Sequence, residues 1–222
     1  MDMTSDSLKI KPEKMDFRAY SISWNLTKRC NLNCDHCYLD ADFRGGFRTD
    51  ELDTEQCKRV VDQIAEVNPN AFLILTGGEP LLRPDIYELI RYAADKKFMV
   101  VLGTNGTLIN KVNAQKIKDA GAHGVGISLD SMDAVKHNKF RGVEGAWEHS
   151  MEAFKILNEV GVDFLIQMSV SDMNYKEIPD VVAFTEKIGA IAFNLYFLVC
   201  TGRGQGNTDI SNEAYEEALK ML

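Results

Sequence analysis

No stretch of this 222-residue chain is apolar for long enough to cross a bilayer. Its longest apolar runs, such as residues 191–193 and 195–200, stop after a few positions. The first twenty residues lack the apolar segment of a secretory signal and are polar with mixed charge. Basic excess is missing too. Lys and Arg total 25 against 33 Asp and Glu, a net charge of −8, and no basic stripe interrupts the pattern. That argues against a nucleic-acid partner, because phosphate backbones are held by clustered cations. The expectation is a cytoplasmic protein with no membrane and no nucleic-acid partner. Cysteines are few, five in all, and their number is odd. A disulfide-stapled miniprotein is therefore excluded. Low-complexity tracts are absent, and the 45% apolar content is that of a globular chain with a sizeable core, not a disordered one.

What is present is a regular alternation. After a polar leader over residues 1–18, residues 20–26 read as a first strand and 54–67 as a helix capped by Asp53 or Thr54. Strands follow at 71–75, 98–102, 125–129, 164–170 and 192–199. Helices are expected at 84–97, 110–120, 145–160, 175–188 and 212–222, three of them closed by Gly121, Gly161 and Gly189. Six successive βα units demand a parallel sheet with right-handed crossovers. A doubly wound sheet and a barrel both satisfy that rule. Six units fall short of the usual eight-stranded barrel, so the expected fold is α/β, a partial (β/α)6 TIM-like barrel. Residues 19–222 are read as one core domain. The helical pattern runs to the last residue, so a further domain is expected beyond it.

Chemistry concentrates just after the first strand, at Cys30-Asn-Leu-Asn-Cys34-Asp-His-Cys37. Three thiolates in one loop can wrap a metal centre, and in a reducing compartment zinc or an iron–sulfur cluster fits. Closed zinc sites want four ligands. His36 is a strained fourth beside Cys37, and Cys57 lies 20 residues on, in a helix. Three thiolates leaving one coordination position open suit a [4Fe–4S] cluster with one exchangeable iron.

C-x-x-x-C-x-x-C after the first strand of a βα array resembles the signature of the radical S-adenosylmethionine (radical SAM) enzymes. Leu75-Thr-Gly-Gly-Glu-Pro80 looks like that family's Gly-Gly-Glu-Pro motif. Thr104-Asn-Gly106 after the third strand and Ser128-Leu-Asp130 at the end of the fourth fall where family members line the cofactor pocket. The similarity extends over roughly residues 23–204. It implies a radical SAM core with Cys30, Cys34 and Cys37 on a [4Fe–4S] cluster whose open iron chelates S-adenosylmethionine. It also implies cofactor contacts at His36, Gly77, Gly78, Glu79, Thr104, Asn105, Ser128, Asp130 and Gln167, with Ser169 and Asn174 as weaker ribose candidates. In that reading the glycines let backbone approach the methionine moiety, and Glu79 accepts from its amino group. Thr104 and Ser128 offer hydroxyls, Asp130 pairs with a ribose hydroxyl or a lysine, and the His36 ring lies near the adenine. Taken singly, these segments also read as a tight turn, a second turn and helix caps.

The implied reaction is reductive cleavage of S-adenosylmethionine to a 5′-deoxyadenosyl radical that abstracts hydrogen from a substrate. A flavodoxin or ferredoxin would supply the electron. The chain is most similar to members with an extra cysteine-rich C-terminal (SPASM-type) domain, which is expected to lie beyond this chain. Leu198-Val-Cys-Thr-Gly-Arg-Gly204 resembles the post-strand loop of members that modify tetrapyrroles in alternative haem synthesis, although those have Pro where Cys200 stands. Alternatives are a maturase of ribosomal peptides or of a metalloenzyme cofactor, a noncatalytic iron–sulfur or S-adenosylmethionine-binding protein, and a zinc module. Cys200 and Arg203 are the candidate substrate contacts, Arg203 through a bidentate grip on a carboxylate. Arg141 raises the same question. Cys57 reads as a packed helix cysteine, and His123, His137 and His149 as surface or capping residues.

Overall fold

Alternating apolar positions build the strands, and the computed structural model describes residues 21–46, 49–206 and 210–221. The polar leader, Tyr20 and Leu222 lie outside the described residues. Six strands form one sheet: β1 (Ser21–Asn25), β2 (Phe72–Thr76), β3 (Met99–Thr104), β4 (Gly124–Ser128), β5 (Phe164–Val170) and β6 (Ala192–Phe197). Every pair is parallel, and the spatial order follows the chain order from β1 to β6. A doubly wound sheet would reverse direction partway. Here each crossover steps the same way, so right-handed connections put the helices on one face. The sheet curls into a half-barrel whose edge strands β1 and β6 do not meet. That bears out the expected partial barrel.

Between the strands run α1 (Thr54–Val67), α2 (Ile86–Asp95), α3 (Lys111–Asp119), α4 (Ala134–Arg141), α5 (Ala146–Val160) and α6 (Ile178–Ile188), and α7 (Asn212–Lys220) follows β6. The core lies between sheet and helices. β5 shows why. Phe164, Ile166, Met168 and Val170 are buried against the helices, while Leu165, Gln167 and Ser169 alternate onto the concave face. Ile86, Leu89, Ile90 and Ala93 place the helical face of α2 in the same core. Among the described residues no helix is long and apolar enough to cross a membrane.

α1 opens on a capping box, in which Asp53 accepts from Gln56 N and the Gln56 side chain accepts from Asp53 N. The expected helix at 84–97 begins only at Ile86, after a 3-10 turn at Pro80–Leu82. A second such turn, Tyr175–Glu177, precedes α6. The sequence reading missed α4 altogether. Its punctuation was visible, with Asp133 accepting from Lys136 N at the start and Gly142 past the end. It lacks an apolar stripe, because the residues it buries are His137, Asn138, Phe140 and Arg141.

Candidate cofactor site

One cavity opens at the carboxyl ends of the strands, where a parallel α/β fold gathers its loops. The cysteine loop closes over it. A two-residue parallel ladder, Arg29–Cys30 against Asp42–Phe43, shuts the loop on itself. Cys30, Cys34 and Cys37 all border the cavity. Cys30 and Cys34 are buried and Cys37 is half-buried. Each sulfur has an N–H donor. Leu32 N reaches Cys30 Sγ at 3.4 Å and Ala41 N reaches Cys37 Sγ at 3.4 Å. The Arg141 guanidinium lies 3.8 Å from Cys34 Sγ. Burial pushes the Cys30 thiol up to about 11 and raises Cys34 as well, against the pull of Arg141. Such thiols are neutral until a metal displaces their protons.

Among the described residues, no three His, Cys, Asp or Glu side chains converge as one metal ion requires. A four-iron cube offers a separate iron to each thiolate, so sulfurs spread around a common cavity suit it better than they suit zinc.

The glycine segment after β2 does something the sequence reading did not anticipate. Gly77 and Gly78 border the cavity, yet their missing side chains make room for protein backbone. A Cβ on Gly77 would stand 2.5 Å from Thr27 O, and one on Gly78 would stand 2.3 Å from Arg29 O. Gly77 also has φ +140°. Gly78 N donates to Thr27 O at 2.7 Å and Glu79 N to Arg29 O at 2.8 Å. The segment therefore clamps the three residues that lead into Cys30. Gly78→Ala is expected to cost at least about 1–3 kcal/mol, because backbone on both sides must part. Urea denaturation checks this, and an unchanged midpoint would contradict the clamp.

Glu79 lies in the interior next to this segment. Its carboxylate is fully buried and does not border the cavity. It accepts from Leu81 N (3.0 Å), Thr104 Oγ1 (2.8 Å) and Asn105 N (2.9 Å). These bonds tie Glu79 to the β3 exit. Thr104 borders the cavity, but its hydroxyl is engaged by Glu79 and by Gly106 N. Asn105 also borders it and grips the cysteine loop, with Nδ2 2.9 Å from Asn31 Oδ1. Asn31 in turn donates to Thr107 Oγ1 at 2.7 Å.

Burial raises the Glu79 carboxyl from 4.5 to about 7, against three hydrogen bonds that lower it. The sign follows from proton counting. Below pH 4.5 the group is protonated both folded and unfolded. As pH climbs to about 7 the unfolded chain releases a proton the folded chain keeps, so stability falls, by about 3 kcal/mol in all. Glu79→Gln is expected to remove this slope. Melting temperatures of both proteins from pH 4.5 to 8 test it, and parallel curves would refute the assignment.

Asp130 is fully buried too, does not border the cavity, and pairs with an arginine. Its Oδ2 accepts from Arg141 Nε at 2.6 Å and its Oδ1 from Ser169 N at 3.0 Å. Burial alone would raise this carboxyl, and the adjacent Arg141 holds it below its ordinary value. His137, expected in a surface or capping role, is buried beside the pair. Its Nδ1 accepts from Asp130 N at 3.2 Å, and burial pushes it down to about 4. Asn174 is likewise internal, donating to Asp130 O and Ser169 O.

Arg141 was only a question in the sequence, and it borders the cavity. From the end of α4, Phe140 O and Arg141 O accept from Asp35 N and Asn33 N, so the helix also anchors the cysteine loop. Arg203 borders the cavity as well but is tied down, donating to Cys34 O (3.1 Å), Ala41 O (2.7 Å) and Asp40 Oδ1 (3.2 Å). It braces the loop through these bonds. Cys200 is exposed and outside the cavity lining, and Cys57 is buried in α1 beside Arg83. His36 borders the cavity with one ring face stacked on Phe140, centroids 3.9 Å apart. Burial and the nearby Arg141 lower it to about 3. Its Nδ1 is buried without a protein partner. Ser128, Gln167 and Ser169 line the cavity from β4 and β5.

A parallel half-barrel with three cysteines and a glycine-clamped loop over one cavity defines a cluster-bearing cofactor-binding protein. The radical SAM superfamily model matches residues 24–185, and the chain belongs to that superfamily. Its members use a [4Fe–4S] cluster and S-adenosylmethionine. The chain is 41% identical over 206 residues to an AdoMet-dependent heme synthase of Nitratidesulfovibrio vulgaris, covering 90% of this chain and 54% of that protein. It is 36% identical over 208 residues to an Fe-coproporphyrin III synthase of Methanosarcina barkeri, covering 90% and 50%. The fold superposes on Streptococcus suis SuiB bound to S-adenosylmethionine with a TM-score of 0.77 at 19% identity, covering 91% of this chain and 46% of that one. The chain thus spans about half the length of the curated relatives it matches.

Proposed function

We propose that this chain is the S-adenosylmethionine-cleaving core of an enzyme that modifies a tetrapyrrole, with Cys30, Cys34 and Cys37 as the cluster ligands. The observation that carries the proposal is the meeting of those three thiols, the Gly77-Gly78 backbone, Ser128 and Arg141 around one cavity. When bound, the reduced cluster supplies the electron that splits S-adenosylmethionine into methionine and a 5′-deoxyadenosyl radical able to take a hydrogen atom from substrate. The chain's own part is placement. Arg141, fixed by Asp130, is a cation suited to the methionine carboxylate. Ser128 adds a hydroxyl, and the buried His36 Nδ1 has no partner inside the protein. Leu32 N, Ala41 N and Arg141 donate to the three sulfurs and stabilise them as thiolates. A flavodoxin or ferredoxin is the proposed electron source.

The tetrapyrrole assignment is supported by the names of two relatives, a heme synthase and an Fe-coproporphyrin III synthase. The test is anaerobic reconstitution with iron and sulfide, reduction, and addition of S-adenosylmethionine with an iron coproporphyrin. About four irons per chain, 5′-deoxyadenosine, and a mass change in the porphyrin are expected. 5′-Deoxyadenosine with an unaltered porphyrin would overturn the substrate, and loaded cluster without 5′-deoxyadenosine would overturn the reaction.

A further inference from the structure

A polar cluster occupies the concave face at the β6 edge of the half-barrel, across the opening from β1. Asn194 and Tyr196 are two residues apart on β6 and so share a face. Gln167 on β5 is in register with Asn194. Gln167 Nε2 and Asn194 Nδ2 each lie 3.5 Å from the Tyr196 hydroxyl oxygen. Gly126 on β4 gives the glutamine its space, since a Cβ there would stand 3.1 Å from Gln167 Cδ. Tyr196 borders the cavity and is 49% exposed.

Donor counting shows what this cluster offers. A phenol oxygen both donates and accepts, and an amide nitrogen has two hydrogens. Each amide nitrogen that faces the phenol keeps a second hydrogen, and the phenol's own hydrogen sits on a half-exposed side chain. The cluster thus offers hydrogen-bond donors and carries no charge of its own, which suits an anionic oxygen. Its place is the edge of the sheet, since among the described residues β6 pairs only with β5.

We propose that Tyr196, steadied by Gln167 and Asn194, is a specificity-determining residue that donates to a carboxylate side chain of the substrate. This rests on the tetrapyrrole reading above, since porphyrins of the haem type carry carboxylates. The cluster-loaded full chain, kept anaerobic, is titrated with iron coproporphyrin III and with its methyl ester, followed by absorbance. S-Adenosylmethionine affinity is measured alongside by equilibrium dialysis. Tyr196→Phe, which keeps the ring, is expected to raise the Kd of the acid about tenfold and leave that of the ester unchanged. S-Adenosylmethionine affinity is expected to hold. Equal weakening of acid and ester, loss of S-adenosylmethionine affinity, or an unchanged Kd for the acid would each overturn the assignment. A wild-type chain that binds neither porphyrin would instead overturn the tetrapyrrole reading and this proposal with it.

Discussion

Cys34→Ala will take up no four-iron cluster on anaerobic reconstitution, while its far-ultraviolet circular dichroism and melting temperature stay near wild type. The two outcomes separate because of where Cys34 sits. Its sulfur borders the cavity, and burial keeps it a neutral thiol when no metal is bound. Alanine then removes little more than one polarisable atom from a small apolar neighbourhood of Cys30, Leu32, Ala41 and Ala146. The loop has other anchors, in Asn33 N to Arg141 O, Asp35 N to Phe140 O and the Arg203 contacts. Cluster binding has no such redundancy, because two thiolates leave a second iron without a protein ligand. Iron and sulfide analysis should fall from about four per chain to near zero. Retained iron with a normal cluster spectrum would remove Cys34 from the ligand set.

The second large effect is expected at Asp130. Asp130→Ala should lower stability by about 3–5 kcal/mol, because it strands the buried Arg141 guanidinium with one weak partner at Cys34 Sγ. It also leaves Ser169 N without its acceptor. A loss of that size is a large share of the 5–15 kcal/mol typical of a domain. Asp130→Asn keeps an acceptor and the shape but not the charge, so it should fall between the two. The decisive comparison is Asp130→Ala with Arg141→Met. Removing both charges should recover part of the loss, whereas an additive double variant would mean that the two side chains are not energetically coupled. Urea denaturation of all four proteins measures this.

These two residues mark the boundary of what could be read ahead of the fold. Cys34 was legible because its partners, Cys30 and Cys37, are its neighbours along the chain, and spacing alone puts them on one loop. The βα alternation was legible for a similar reason, since periods of 2 and 3.6 are local. Asp130 was legible only as a carboxylate near a strand end. Whether such a side chain faces the cavity or the interior depends on what the fold brings beside it. Here that is Arg141, on a helix whose buried face is too polar to announce itself.

The sequence by itself determined the parallel α/β architecture, the three-cysteine loop and the strand ends on which the site is built, because each is encoded in local periodicity or spacing. Tertiary structure alone decided what the motif side chains do. Gly77 and Gly78 yield space to Thr27 and Arg29, and Glu79 holds Thr104 and Asn105. Arg203 braces Cys34, 169 positions away in sequence. Those roles rest on distances between atoms far apart in the chain, and only the curl of the sheet brings them within hydrogen-bonding reach.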